Sequence, residues 1–319
     1  MFLVGSKDIG PLKYILSYIE KKNKKYFLII KTKKNDHYTR GFKTIVQWKK
    51  IKPKLVITGT CIGSGLDKNL IKFAKKKKIP CISLVEHWSF LAERFYEKNF
   101  LLLPDYIGVV DISCKNFYAK EFNYPEKKIL ILNNNYLSKL KIIHKKNLEK
   151  KTKKILFISQ PHKKLEKKLN KLFGIKKFFG FNEYKVVKKL ISNLDENYEI
   201  TIKLHPNEPL SKYNLLNIKN KIKFLKNNFP NSKIVRNFDI IIGMDSMLLL
   251  ELSIMGAKVI AFRPDANNSF YGNKLKKFPI MNNIPDLTKM IKNFKFKIKK
   301  RLNFKTKKIF PILERIKND

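Results

Sequence analysis

Ile240-Ile241-Ile242-Gly243-Met244-Asp245-Ser246-Met247-Leu248-Leu249-Leu250-Glu251 passes from a β-branched run through a glycine into an apolar helix. The isoleucines read as a strand buried on both faces, Gly243 as the turn, and the leucines as the helix that covers the sheet. Upstream, Glu199-Ile200-Thr201-Ile202-Lys203-Leu204 is a second strand, ending at His205, which the following Pro206 holds extended. Open α/β sheets bind ligands outside the carboxyl ends of their strands, and helix N-termini there attract anions. A cation, an imidazole and a hydroxyl, all at strand ends, read as a nucleotide site.

Outward from these segments the same alternation runs along the chain. Phe2 to Val4, Tyr26 to Ile30, Leu55 to Ile57, Cys81 to Val85, Ile107 to Val110 and Ile129 to Leu132 read as strands of one parallel sheet. Helices are expected near Leu12 to Lys21, Gly41 to Lys50 and Asp67 to Lys77. Residues 141–154 form a lysine-rich linker without strong periodicity. A second alternation starts at Ile155 and continues through a helix at Asn182 to Asn193, the His205 strand, a helix near Leu215, the Ile240 strand, and Ala257 to Phe262. The fold class is therefore α/β, with two Rossmann-like domains whose parallel sheets face a cleft. Their expected bounds are 1–140, and 155–319 including a basic helical tail.

Composition narrows the function. A chain of 319 residues suits two domains of about 150 residues each. No stretch nears the roughly 18 apolar residues of a spanning helix, and the start lacks a signal-peptide pattern. Cys61, Cys81 and Cys114 fit no metal spacing and no disulfide framework, which points to a reducing cytoplasm. Zinc signatures, the Gly-x-Ser-x-Gly elbow and the dinucleotide fingerprint are missing, so neither metal nor resident cofactor is expected. The net charge of +45 is nearly all lysine; arginine stands only at Arg40, Arg94, Arg236, Arg263, Arg301 and Arg315. Base and phosphate recognition favours arginine's planar fork, so most lysines read as solvated surface and no specific nucleic-acid partner is expected. A basic face would still hold the protein at the anionic inner face of a membrane.

Each candidate residue has a plain alternative. His205, beside Lys203, Pro206 and Glu208, suits a phosphate donor or a strand-end cap. Asp245 and Ser246 are favoured N-cap types, and Asp245 would compete with an anion at this turn, which Met247 continues. Glu251, among leucines, needs a partner, for which a ribose diol or a lysine would serve. Thr58-Gly59-Thr60-Cys61-Ile62-Gly63-Ser64-Gly65 offers glycines and hydroxyls after a strand, or a flexible turn. Glu86-His87-Trp88 supplies a general base and a stacking ring, or joins an aromatic cluster with Phe90 and Phe95. Ser159 and Gln160 offer donors, and Asp111 ends a strand on the acceptor side. His37, His144 and His162 stand among lysines and read as exposed.

Together the Gly5 loop, the Thr58 to Gly65 loop, Glu86-His87-Trp88, Pro104-Asp105, Ser159-Gln160-Pro161, Lys203 to Pro206 and Gly243 to Glu251 resemble the GT-B glycosyltransferase superfamily. The histidine-proline pair looks like that of bacterial polysialyltransferases and CDP-glycerol glycerophosphotransferases, which implies a phosphate-binding role for His205. Their serine or threonine motif carries over to Ser246, although this chain has Asp-Ser-Met there. The layout is also similar to UDP-N-acetylglucosamine 2-epimerases. The resemblance implies a metal-independent transferase moving a sugar from a nucleotide-activated donor to a glycan or lipid-linked acceptor. Lys203, His205 and Ser246 would then meet phosphate, Glu251 the ribose, and His87 or Glu86 the acceptor's proton. A nucleotide-sugar epimerase and a basic nucleic-acid binder are the other expectations.

Overall fold

The computed structural model describes residues 1–32, 35–143, 152–176, 178–209, 211–213, 222–225, 229–267, 278–293 and 308–318. The chain divides into two compact units, Met1–Lys139 with Asn303–Asp319, and Leu140–Leu302.

Unit 1 is built on strands β1 (Phe2–Gly5), β2 (Phe27–Ile30), β3 (Lys43–Ile45), β4 (Leu55–Thr58), β5 (Cys81–Leu84), β8 (Tyr106–Val109) and β9 (Ile129–Ile131), with a separate hairpin of β6 (Tyr96–Glu97) and β7 (Phe100–Leu101). The sheet is parallel throughout, in the order β3-β2-β1-β4-β5-β8-β9. This is the doubly wound order, in which the direction of winding reverses between β1 and β4. Every residue of β1, β2, β4 and β5 is buried, which explains why these strands are apolar runs and not alternating ones. Helices α1 (Ile9–Ser17), α2 (Leu66–Lys77), α3 (Ile112–Glu121) and α4 (Asn135–Ser138) accompany the sheet. Helix α2 buries Leu70, Ile71 and Ala74 against Leu3, Leu28 and Ile30, each large side chain contributing about 1.5–3 kcal/mol.

Two expectations change here. The segment 41–50, read as a helix, is strand β3 followed by a 3₁₀ turn at Trp48–Lys50. Its β-branched Thr44, Ile45 and Val46 favour the pleat, and Trp48 is drawn inward against Phe73, ring centroids 5.2 Å apart. The tail, grouped by its sequence with the second domain, belongs to unit 1. Its helix Phe310–Asn318 places Leu313 and Ile316 in the unit 1 core, with Phe310 packed 5.9 Å from Phe2 and 6.4 Å from Phe27.

Unit 2 has strands β10 (Lys153–Ile158), β11 (Tyr198–Lys203), β12 (Ile222–Leu225), β13 (Ile240–Gly243), β14 (Val259–Phe262) and β15 (Ile280–Met281), all parallel, in the order β12-β11-β10-β13-β14-β15. The reversal lies between β10 and β13. Ile158 pairs with Lys203 on one side and Gly243 on the other, so the ends of β11, β10 and β13 are level. Helices α5 (His162–Phe173), α6 (Glu183–Asn193), α7 (Asn231–Asn237) and α8 (Met247–Ile254) belong to this unit, as does the helix Ile284–Lys292. Strand β12 and helices α5 and α7 were not apparent in the sequence. The expected helix near Leu215, His144, most of the 141–154 linker and residues 294–307 of the basic tail lie outside the described residues.

Candidate functional site

In unit 2 the level strand ends bring Ser159 and Gln160, His205, and Asp245 and Ser246 onto three adjacent strands, spaced about 4.8 Å apart. Lys203 is buried at the last position of β11, and the half-buried His205 follows two residues later. The His205 amide donates to Glu208 Oε2 at 2.8 Å, and its Nδ1 accepts from the Asn207 amide at 3.2 Å. That contact places the proton of the neutral ring on Nε2 and makes this nitrogen a donor. Glu208 is itself buried, accepting from Ser159 Oγ at 3.1 Å and from the Lys212 ammonium, which also sits 2.7 Å from Glu183. Ser159 Oγ lies 2.7 Å from the Tyr213 hydroxyl. Glu208 and Ser159 therefore shape the His205 turn from beneath, while Pro206 is exposed at its tip.

Asp245 is occupied differently from the N-cap its sequence suggests. Its carboxylate accepts from His162 Nε2 at 2.7 Å, and its amide donates to Gln160 Oε1 at 3.1 Å. His162, expected to be exposed, is 2 % exposed. Its ring is stacked on Phe179 at 4.1 Å and meets Phe181 edge-on at 5.3 Å. Lysines surround it in sequence, but it opens α5 directly after β10 and so points back to the sheet. Burial pushes the Asp245 carboxyl up; His162, Arg263 and Gln160 outweigh this and hold it below its ordinary value. Its charge is thus compensated within the unit, and it no longer argues against an anion at this turn. Ser246 caps α8, its Oγ accepting from the Leu248 amide at 3.2 Å, and Met247 opens the helix. Glu251 Oε2 accepts from the Asn231 amide at 2.9 Å, a partner not anticipated for it.

In unit 1 the Thr58 to Gly65 loop packs tightly on the loop after β1. A Cβ on Gly59 would stand 2.5 Å from both Pro11 Cβ and Ser6 Oγ, so glycine is what lets these loops close. Thr58 is fully buried, donating to Asp67 at 3.3 Å, while Ser64 is exposed. Thr60 Oγ1 accepts from Arg94 Nη1 at 2.6 Å. Arg94 organises the whole cluster. Its Nη1 also lies 3.0 Å from Glu86 Oε2, its Nη2 lies 2.6 Å from His87 Nε2, and its Nε donates to Ser89 O at 2.9 Å. Burial raises the Glu86 carboxyl, and the Arg94 guanidinium offsets only part of that rise. Burial, then the same guanidinium, drives the His87 ring well below its usual pKa, so it is neutral. Trp88 Nε1 donates to Asp111 Oδ2 at 2.5 Å, and Asp111 caps α3 through the Cys114 amide at 3.0 Å. Burial alone would raise Asp111, but these donors hold it below its ordinary value. Trp88, Phe95 and Tyr118 share one apolar core, which agrees with the aromatic-cluster reading for Trp88 and Phe95.

Lys68, only 1 % exposed, locks two loops together by donating to Cys61 O at 3.3 Å and to Arg94 O. Burial pushes its ammonium down to about 8. Between that value and its unfolded value of about 10.4 the unfolded chain binds more protons, so this residue makes stability rise with pH. Lys68→Met is expected to lose that rise: unfolding free energies of wild type and variant, followed from pH 7.5 to 10, should diverge in favour of the wild type as pH increases.

No protein-family model matches the chain. Among curated proteins it is similar to an uncharacterized protein of Methanocaldococcus jannaschii, 25% identical over 178 residues, covering 54% of this chain and 29% of that protein. The chain thus spans less than a third of that relative's length. Among solved structures it resembles UDP-GlcNAc 2-epimerase of M. jannaschii in complex with UDP-GlcNAc and UDP, at TM-score 0.63 and 14% identity over 99% of both chains. It also resembles S. aureus MnaA with UDP, at 0.64 and 11%, over 99% of this chain and 96% of that one. The wall teichoic acid polymerase TagF matches at 0.50 and 14%, over 92% and 79%. The fold is GT-B. At these identities the likeness is one of fold alone.

Arg94, His162 and Lys68 were missed in the sequence. Arg94 offered one signal: it stands seven residues after His87 in a chain with very few arginines. His162 offered another, its place directly behind Ser159-Gln160-Pro161.

Proposed function

We propose that this chain is an enzyme acting on nucleotide-activated sugars, its unit 2 binding the nucleotide at the ends of β10, β11 and β13. One observation carries this reading: the strand register sets a donor imidazole (His205), a buried cation (Lys203) and the start of α8 level at the switch point of a 3-2-1-4-5-6 sheet. That is where a doubly wound sheet takes its ligand, and the positive groups there suit a diphosphate. Glu251, oriented by Asn231, is assigned to the ribose. In unit 1, Glu86 is the proton-transfer group: burial raises its carboxyl above its ordinary value, the direction that suits a general acid or base. His87, held neutral, assists it. Thr60, Ser64, Trp88 and Asp111 are assigned to the acceptor side, with Thr58 and Gly59 supporting their loop. Glycosyl transfer to a glycan or lipid-linked acceptor is the favoured reaction, with the leaving phosphate stabilised by preorganised charge and no metal or cofactor invoked. Epimerisation at the sugar is the second reading, supported by the closer fold likeness to the epimerases.

A nucleotide that binds the folded state stabilises it by about 2.7 kcal/mol at a hundred times its Kd. Thermal unfolding with UDP, CDP, CMP and their sugars should therefore reveal one base class that raises Tm. His205→Ala should weaken that ligand by roughly 10- to 100-fold, the cost of one charge-assisted hydrogen bond. Flat melting curves with every nucleotide would overturn the proposal. Incubation of the binding nucleotide sugar without acceptor separates the two reactions, since only an epimerase inverts a sugar carbon there.

A further inference from the structure

Helix α2 of unit 1 turns a basic face outward. Lys72, Lys75, Lys76 and Lys77 are exposed along it, and Lys78 closes it in a left-handed conformation. Lys72 and Lys76, four apart, share one side of the helix, and Lys75 lies beside them. Two neighbouring segments are fastened to this helix. The β6–β7 hairpin is tied to it by the ion pair of Glu97 with Lys72. The turn after β3 is tied to it by Trp48 against Phe73. Both segments expose apolar side chains next to lysine: Phe100 at 76 % and Leu101 at 40 % follow Lys98, and Val46 at 70 % precedes Lys49 and Lys50.

We propose that this face is a membrane-docking surface that takes an anionic lipid bilayer. Lysines clustered at the surface are each drawn to an anionic leaflet, and aromatic and aliphatic side chains at hairpin tips enter the headgroup boundary. The chemistry favours lipid over nucleic acid. Of the exposed apolar side chains Phe100 alone could stack on a base, Leu101 and Val46 being aliphatic, and the cations are compact ammonium groups where nucleic-acid recognition favours arginine. The hairpin is short and its aromatic lies beyond the unit's core, as a shallow wedge requires. Among the described residues no helix is long and apolar enough to cross a membrane, so attachment would be peripheral.

The test is co-sedimentation of the full chain with vesicles of phosphatidylglycerol and phosphatidylcholine, against phosphatidylcholine alone. Binding should require the anionic lipid and fall with salt. Lys75→Gln, Lys76→Gln and Lys77→Gln together should weaken it on the order of a hundredfold, three charges lost. Phe100→Ser with Leu101→Ser should weaken it on the order of tenfold at unchanged salt dependence and unchanged Tm, since both side chains are already exposed. Failure of the wild type to sediment with anionic vesicles overturns the proposal, as does a double-serine variant that sediments like wild type. Retention on an oligonucleotide without retention on vesicles would make the face a nucleic-acid surface and overturn it equally. No sugar nucleotide is present in this assay, so its failure is separate from failure of the proposed function.

Discussion

Replacing Arg94 by alanine will cost about 3–5 kcal/mol of unfolding free energy, the loss seen when one partner of a buried ion pair is removed. The guanidinium is 4 % exposed, and Glu86, His87, Thr60 and Ser89 all turn toward it. Without it, the Glu86 carboxylate stays in a site that already raises its pKa, with its main countercharge gone. Denaturant unfolding measures the loss. Arg94→Ala with Glu86→Gln should recover a good part of it, because an amide there needs no countercharge. A single Glu86→Gln should be milder for stability and, on the proposed function, severe for turnover, since it removes the proposed proton-transfer group and leaves the arginine bonded to Thr60 and Ser89. If Arg94→Ala unfolds like the wild type, the cluster is not a coupled unit and the assignment of Glu86 loses its basis.

His162→Ala in unit 2 is expected to cost a similar amount, about 3–5 kcal/mol, and to show a distinctive dependence on pH. The substitution strands the Asp245 carboxylate and opens a space between Phe179 and Phe181. In the wild type the Asp245 carboxyl is held below its unfolded value, so its contribution is complete above about pH 4 and is lost as pH falls through the lower, folded value. In the variant the orphaned carboxyl rises instead, and protonation relieves it. The gap between the two proteins should therefore be widest at neutral pH and narrow below about pH 4. A gap that is constant with pH would mean that the cost is packing alone. His162→Phe separates the contributions, because it refills the aromatic stack while leaving the carboxylate unpaired.

The strands that carry the candidate residues were readable because each is an apolar run with a turn behind it. Ile240 to Gly243, Ile155 to Ile158 and Cys81 to Leu84 are buried throughout, and burial of that kind leaves its mark on composition. Strand β3 and the hairpin were not readable, since three exposed or half-exposed residues at a sheet edge carry no such mark. The candidate residues at the strand ends were legible by position and type. Their partners were not. His162 and Asp245 are separated by 83 positions, and Ser159 and Glu208 by 49, distances over which pairing follows from strand order alone. Arg94 was hidden for a related reason: a charge in a lysine-rich chain looks solvated until the fold encloses it.

The helix at 310–318 has a consequence for how the protein is made. A ribosome delivers the first 139 residues of unit 1, then the whole of unit 2, and only afterwards the segment that covers Phe2 and Phe27. The nascent amino-terminal unit thus waits through the synthesis of its neighbour with the apolar strip around Phe2 and Phe27 uncovered. Removing the helix 310–318 would unsettle a unit whose first 139 residues are made before unit 2.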